Sequence, residues 1–349
     1  MVADTATSKQ MPVIMDVDTG VDDALALALV WKSKQVELVG VTTVNGNVSL
    51  SQATLNTRKV IHMLQQLDED KQRADVEANK VPLNFEQKGA ASARNGFTRN
   101  VPIIPGANEP LMRPTFFEHA VHGNDGLGGA LSDMSPPELE EGLPHAAQFI
   151  IEEAKKRPGE LTLLMTAPLT NLAIALRACP ELPQIVKRVV MMGGALQTFG
   201  NVTPVAEYNI YVDPEAAKMV LHAGFDLTIV GLDVTRQALL RPEHLEKLDS
   251  TPLGGFVRTC TAQYMERYRM RNGVAACAMH DPLAAYIVID ASIVKTHRYY
   301  VDVETRSDLC DGQTVCDVQN RLGREANANV CVEVDGEAFM DRFISVLQA

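Results

Sequence analysis

The chain has 349 residues, 46% of them hydrophobic, ample for a sizeable core and compatible with one large α/β enzyme domain. A net charge of −12 with no long basic run argues against a nucleic-acid polymer as partner, and no apolar run reaches the length of a membrane span. Six cysteines without a C-x-x-C pair, and a polar start without a secretory pattern, lead us to expect reduced thiols in a cytoplasmic protein.

A polar leader over residues 1–10 is expected to precede a single domain over 11–349. Val13 to Val17 reads as a short buried strand and Ala24 to Trp31 as a helix packed on the sheet. Between them lie Asp16, Asp18, Asp22 and Asp23, with Gly20 expected to give the turn its freedom. Asp22 and Asp23 suit a helix N-terminus, where the dipole favours negative charge. Asp16 and Asp18 fall at the carboxyl end of a central strand. Any one of these carboxylates could be a cap or turn residue, but four so close together would repel unless a cation neutralised them. An oxygen-only set with no Cys or His nearby points to Ca²⁺ or Mg²⁺ rather than zinc. A calcium helix-loop-helix is excluded, because Leu27 stands where its loop requires Glu.

Val36 to Val44 forms a second strand, and a helix begins near Ser49, so β-α-β-α within 65 residues predicts a parallel sheet. Asn47 then stands at the same strand edge as Asp18, where open α/β sheets bind ligands, although Asn-Gly-Asn is also ordinary turn chemistry. Leu67 to Asn100 is polar and poorly periodic and reads as an inserted surface excursion. A short strand resumes at Val101 to Ile104. His122 opens a run with four glycines that lacks the phosphate-loop lysine; it is either a lid carrying one histidine or a surface linker.

Leu143 to Lys156 is predicted helical and Leu161 to Met165 a strand, which delivers Thr166 to the same carboxyl edge. Ile185 to Met192 is a further strand. The loop Gly200 to Asn209 concentrates Asn201, Glu207 and Asn209, groups that suit a polyhydroxylated ligand. Asp213-Pro214 starts a helix and Leu227 to Leu232 a strand. The helix over Leu253 to Asn272 carries Tyr264 and Tyr268, which with His122 are expected to contact substrate. His280-Asp281-Pro282 opens another helix. Tyr299 to Val334 reads as structural antiparallel strands with turns.

Placed in order, these segments resemble the inosine-uridine-preferring nucleoside hydrolase family. D-x-D-P-G-x-D-D is similar to Asp16 to Asp23, with Thr19 in place of proline; T-T-V-x-G-N matches Thr42 to Asn47 and T-G-P-L-T-N matches Thr166 to Asn171. The G-N…E-x-N element falls on Gly200, Asn201, Glu207 and Asn209, and H-D-P on His280 to Pro282. The motifs cover most of the chain. The resemblance implies a single Rossmann-like α/β domain with an open, mostly parallel sheet and a few antiparallel strands. It implies hydrolysis of the N-glycosidic bond of ribonucleosides, through an oxocarbenium-like ribosyl centre. It implies Ca²⁺ held by Asp18, Asp23, the Thr166 carbonyl and Asp281, with Asp18 as general base toward a water. Asp22, Asn47, Asn201, Glu207 and Asn209 would hold the ribose, His280 would protonate the departing base, and Asp16 would orient its neighbours.

A small-molecule nucleoside and a homo-oligomer, dimer or tetramer, are the expected partners. Having His280 rather than an aromatic in the H-D-P position fits a less selective enzyme or one preferring 6-oxo bases. Two other functions remain to be separated from hydrolysis. Asp16-Val17-Asp18-Thr19 also looks like the first motif of haloacid-dehalogenase-type phosphatases, and a non-catalytic ribose-binding protein could share the fold.

Overall fold

The apolar run after Met11 becomes the middle of a sheet because it is flanked on both sides by other strands. β1 (Met11–Val17) pairs in parallel with β2 (Val36–Thr43) and with β4 (Thr162–Met165). A strand buried on both faces needs helices on both faces, and alternate residues serve them: Val13, Met15 and Val17 enter one core and Ile14 the other. The structure, a computed structural model, describes residues 9–79, 100–117 and 125–349. Adding β3 (Ile103–Pro105), β5 (Arg188–Met192), β6 (Leu227–Val230), β7 (Val294–Tyr299) and β8 (Ala328–Val334) gives eight strands in the order β3-β2-β1-β4-β5-β6-β8-β7. All neighbours pair in parallel except β8 with β7 at one edge.

Among the described residues, eight longer helices cover this sheet: α1 (Val21–Lys32), α2 (Leu50–Asn79), α3 (Ala146–Lys156), α4 (Thr170–Ala178), α5 (Pro214–Leu221), α6 (Gly254–Asn272), α7 (His280–Ile289) and α8 (Gly336–Gln348). α1 is buried from Val21 to Trp31 and α7 from Asp281 to Val288, and the two pack against each other. Helices apolar all round belong in an interior. Their pairing brings two helix N-termini, one carrying Asp22 and Asp23 and the other His280 and Asp281, to one end of the sheet.

Two expectations are corrected and one further helix is found. The stretch from Leu67 does not leave the fold at once: α2 continues to Asn79, with Leu67 packed on the core and Asp68 accepting from Trp31 Nε1 (2.8 Å) and Lys32 Nζ (3.1 Å). The polar residues from Asp70 to Asp75 lie on the solvated side of this helix, and residues 80–99 lie outside the described residues. The C-terminal strands are not all antiparallel, since β8 inserts between β6 and β7 and runs parallel to β6 through Asn329 and Val330. Finally, α8 follows β8, capped by Asp335 and buried through Phe339, Met340, Phe343, Ile344 and Leu347. No helix among the described residues is long and apolar enough to cross a membrane.

Candidate active site

β1, β2, β4 and β5 end at the same edge, and their last residues with the following turns form the floor of the site. Gly20 lies at φ −94°, ψ −162°, an extended conformation open to any residue, so the turn after β1 does not draw on glycine's freedom. Asp23 holds that turn instead: one oxygen accepts from Gly20 N–H (3.0 Å) and the other from Thr166 Oγ1 (2.7 Å). Thr19, standing where the family pattern has proline, is buried with its hydroxyl 2.7 Å from that of Thr57 on α2.

Asp18 is held by Asn47, whose backbone N–H reaches Oδ2 (2.5 Å) and whose Nδ2 reaches Oδ1 (3.1 Å). The intervening residue must be glycine, because a Cβ on Gly46 would stand 1.9 Å from Asp18 Oδ2. Asp16 lies deeper. Its Oδ1 accepts from Thr42 Oγ1 (2.5 Å) and Asn171 Nδ2 (2.8 Å), while its buried Oδ2 has no hydrogen-bond partner. Asn171, quoted as a motif residue in the sequence without a role, also donates to the Thr43 carbonyl and accepts from Ala107 N–H. It therefore ties β1, β2 and the loop after β3 together beneath the site.

Carboxylate oxygens of Asp22, Asp23 and Asp281 all come within 4.8 Å of one another, and all three side chains are buried. Burial raises their proton affinities, and neighbouring charges raise them further for Asp22 and Asp281. Asp22 is pushed up to about 7, as is Asp16, the latter chiefly by burial. Asp18 is raised by burial and then by the charge of Asp23. So many buried acids at one point are costly without a counter-charge, and the all-oxygen donor set fits a hard divalent cation. Asp22, expected on the ribose, thus shares the carboxylate cluster with two expected metal ligands. Asp18 stands behind Asn47, fully buried.

Thr166 closes the cluster from β4. Its carbonyl accepts from Asn209 Nδ2 (3.0 Å), which also donates to the Met192 carbonyl at the end of β5 (3.2 Å). Glu207 caps a short helix over Tyr208–Val212: it accepts from the N–H groups of Gly194 (2.9 Å), Asn209 (3.0 Å) and Ile210 (3.2 Å). Asn201 Oδ1 accepts from Tyr208 N–H (3.0 Å). These bonds make the wall from 200 to 209 rigid. His280 Nδ1 lies 2.7 Å from the Thr235 hydroxyl, a contact that orients the ring.

Asp22, Asn47, Thr166, Asn201, Glu207, Asn209, Tyr264, Tyr268, His280 and Asp281 all line one cavity of about 570 Å³, whereas Asp16, Asp18 and Asp23 lie under its floor. His122 lies outside the described residues. Sequence reasoning assigned no role to Arg236, Arg267 and Arg271 at the cavity wall, nor to Thr235 behind His280. Arg267 and Arg271 share a helix face with Tyr264 and Tyr268 at spacings of three and four, a signal legible in the sequence. Arg236 and Thr235 gave none, since only the fold brings them there. Arg236 holds the loop before Asn201 by donating to the Phe199 and Gly200 carbonyls (each 2.8 Å) and lies over the Phe199 ring.

The family model described as inosine-uridine preferring nucleoside hydrolase matches residues 13–82 and 81–341. An inosine-uridine preferring nucleoside hydrolase from Crithidia fasciculata is 34% identical over 342 residues, 96% of this chain and 97% of the relative. The pyrimidine-specific ribonucleoside hydrolase RihB of Escherichia coli O157:H7 is 30% identical over 329 residues, 94% of each chain. Among solved structures, the plant nucleoside hydrolase PpNRh1 superposes with a TM-score of 0.83 at 27% identity, over 98% of this chain and 100% of that one. The chain belongs to the inosine-uridine preferring nucleoside hydrolase family and is a nucleoside hydrolase, an enzyme that cleaves the N-glycosidic bond of ribonucleosides.

Proposed function

We propose that the substrates are purine ribonucleosides such as inosine and guanosine, with uridine as a further candidate, and that the products are free base and ribose. The observation that carries this reading is the convergence of three elements on one cavity: a buried carboxylate cluster, an amide-rich wall, and a histidine in the same lining. The reaction needs a water on one face of the ribose, a grip on the hydroxyls, and a proton for the departing base.

Asp18, Asp23, Asp281 and the Thr166 carbonyl would hold a calcium ion, with Asp22 close enough to share it. Such an ion lowers the pKa of a coordinated water and orients it. Asp18 takes the proton of the attacking water as general base. Asn47, fixed on Asp18, and Asn201, Glu207 and Asn209 grip the ribose hydroxyls. The Glu207 carboxylate also opposes the positive charge that develops on the ring. His280 delivers a proton to the leaving base, with Thr235 fixing the ring. Asp16 supports the floor through Thr42 and Asn171. Free cysteines throughout fit a cytoplasmic setting, and release of free bases fits nucleoside catabolism and purine salvage.

A panel of ribonucleosides in phosphate-free buffer, assayed for free ribose, tests the proposal. Ribose from inosine and guanosine is expected. Binding without turnover would instead identify a ribose-binding protein, and phosphate release from phosphoesters would favour the phosphatase. Among the described residues, the cavity lining contains no lysine to support that phosphatase chemistry.

A further inference from the structure

We infer that the Tyr208 hydroxyl is a positioning group for the proposed hydrolysis, acting on Asp18 through the single peptide that joins Gly46 to Asn47. The inference rests on the reading of Asp18 as the residue that works on the attacking water. Tyr208 O–H donates to the Gly46 carbonyl at 2.8 Å, inside the protein. The amide of the same peptide, Asn47 N–H, donates to Asp18 Oδ2 at 2.5 Å. One peptide plane therefore carries a donor on its oxygen and a carboxylate on its nitrogen, and each bond polarises the other.

The turn that contains this peptide has its own supports. Val44 N–H donates to the Val17 carbonyl (3.1 Å), Asn45 N–H to Ala107 (3.0 Å) and Gly46 N–H to Val48 (3.1 Å). What the hydroxyl adds is the tilt of the 46–47 peptide about the chain axis. That tilt matters because residue 46 and the carboxylate are already at contact: a Cβ there would stand 1.9 Å from Oδ2. A small rotation thus moves Asp18 or breaks its shortest bond.

Tyr208 also belongs to the opposite side of the site. It lies between Glu207 and Asn209, donates its N–H to Asn201 Oδ1 at 3.0 Å, and lines the cavity. One side chain therefore spans from the sugar wall to the turn behind the general base, fixing the distance between bound ribose and Asp18. Its hydroxyl also lies 3.1 Å from the Phe116 carbonyl, and its ring is 6.1 Å from that of Phe116. Ring packing alone would be met by phenylalanine; the bond to Gly46 would not.

Tyr208→Phe separates the two roles, with Tyr211→Phe as control, since the Tyr211 ring packs edge-on to the same Phe116 at 5.7 Å but lies outside the cavity lining. Both variants and the parent, purified with their metal, are compared for inosine kcat and KM, melting temperature, and amide hydrogen exchange over residues 44–48. Tyr208→Phe is expected to lower kcat roughly tenfold, the equivalent of one net hydrogen bond, with KM within about twofold. Exchange over the turn should quicken, and Tyr211→Phe should match the parent throughout. An unchanged kcat, unchanged exchange, or a loss carried wholly by KM overturns the inference. So does a melting temperature lowered by more than about 5 °C, which would make the role structural. A parent enzyme that releases no ribose refutes the hydrolase reading on its own, and the exchange comparison still decides whether Tyr208 holds the 46–47 peptide.

Discussion

Replacing His280 with alanine should slow inosine hydrolysis by about 10²–10⁴-fold, because a positioned general acid typically contributes that much. In free energy this is about 3–5 kcal/mol of transition-state stabilisation. The structure sets where the loss should appear. His280 lines the cavity, and Thr235 holds its Nδ1 at 2.7 Å. Asp18 is fixed by Asn47, and Glu207 by the N–H groups of Gly194, Asn209 and Ile210. A nitrophenyl riboside, whose aglycone departs without protonation, should therefore lose less than about tenfold in the same variant. Deleting the ring also strands the fully buried Thr235 hydroxyl, at a stability cost of about 1–3 kcal/mol, so rates should be compared well below the melting temperature. kcat is measured for both substrates on one preparation. Equal losses would refute the reasoning: they would mean that the substitution disturbs the adjacent Asp281 and that His280 takes no part in protonation.

Two further outcomes concern the cation and the buried acids. The protein should copurify with about one calcium per chain, and Asp23→Asn should lose the metal and slow turnover by at least about 10²-fold; active parent protein free of calcium by elemental analysis would contradict this. In chelator-treated protein, Asp16 and Asp22 have folded-state pKa values of about 7 against an ordinary 3.8, chiefly through burial. The folded state therefore binds protons more tightly than the unfolded one, so this stabilisation is complete below about pH 4 and is lost as pH rises through 7. Its melting temperature should fall from pH 5.5 to 8 and recover at pH 8 on adding calcium. A melting temperature that rises over that interval without metal would contradict the assignment.

Much of the site was legible because its residues sit where strands end, and strand ends can be read locally. β1, β4 and β5 are short apolar runs, so Asp18, Thr166 and the turn after Met192 follow from their lengths. In the fold, Asn47, Asn201, Glu207, Asn209, Tyr264, Tyr268 and His280 line one cavity. What sequence could not supply was non-local pairing. Nothing in Ala328–Val334 says that it lies beside β6, a hundred residues earlier in the chain, rather than only against β7. The grouping of Asp22 with Asp281 depends likewise on α1 packing against α7. α8, by contrast, is legible in the sequence: Phe339, Phe343 and Leu347 recur at helical spacing after the Asp335 cap.

The central claim is that water, not phosphate, receives the ribosyl group. Inosine hydrolysed in ¹⁸O-enriched water without phosphate tests it directly. The geometry predicts hypoxanthine and ribose in equal amounts, with one ¹⁸O at the anomeric carbon when product is trapped by rapid reduction before exchange. Ribose that carries no label, or base release that requires added phosphate and yields ribose 1-phosphate, would contradict the account.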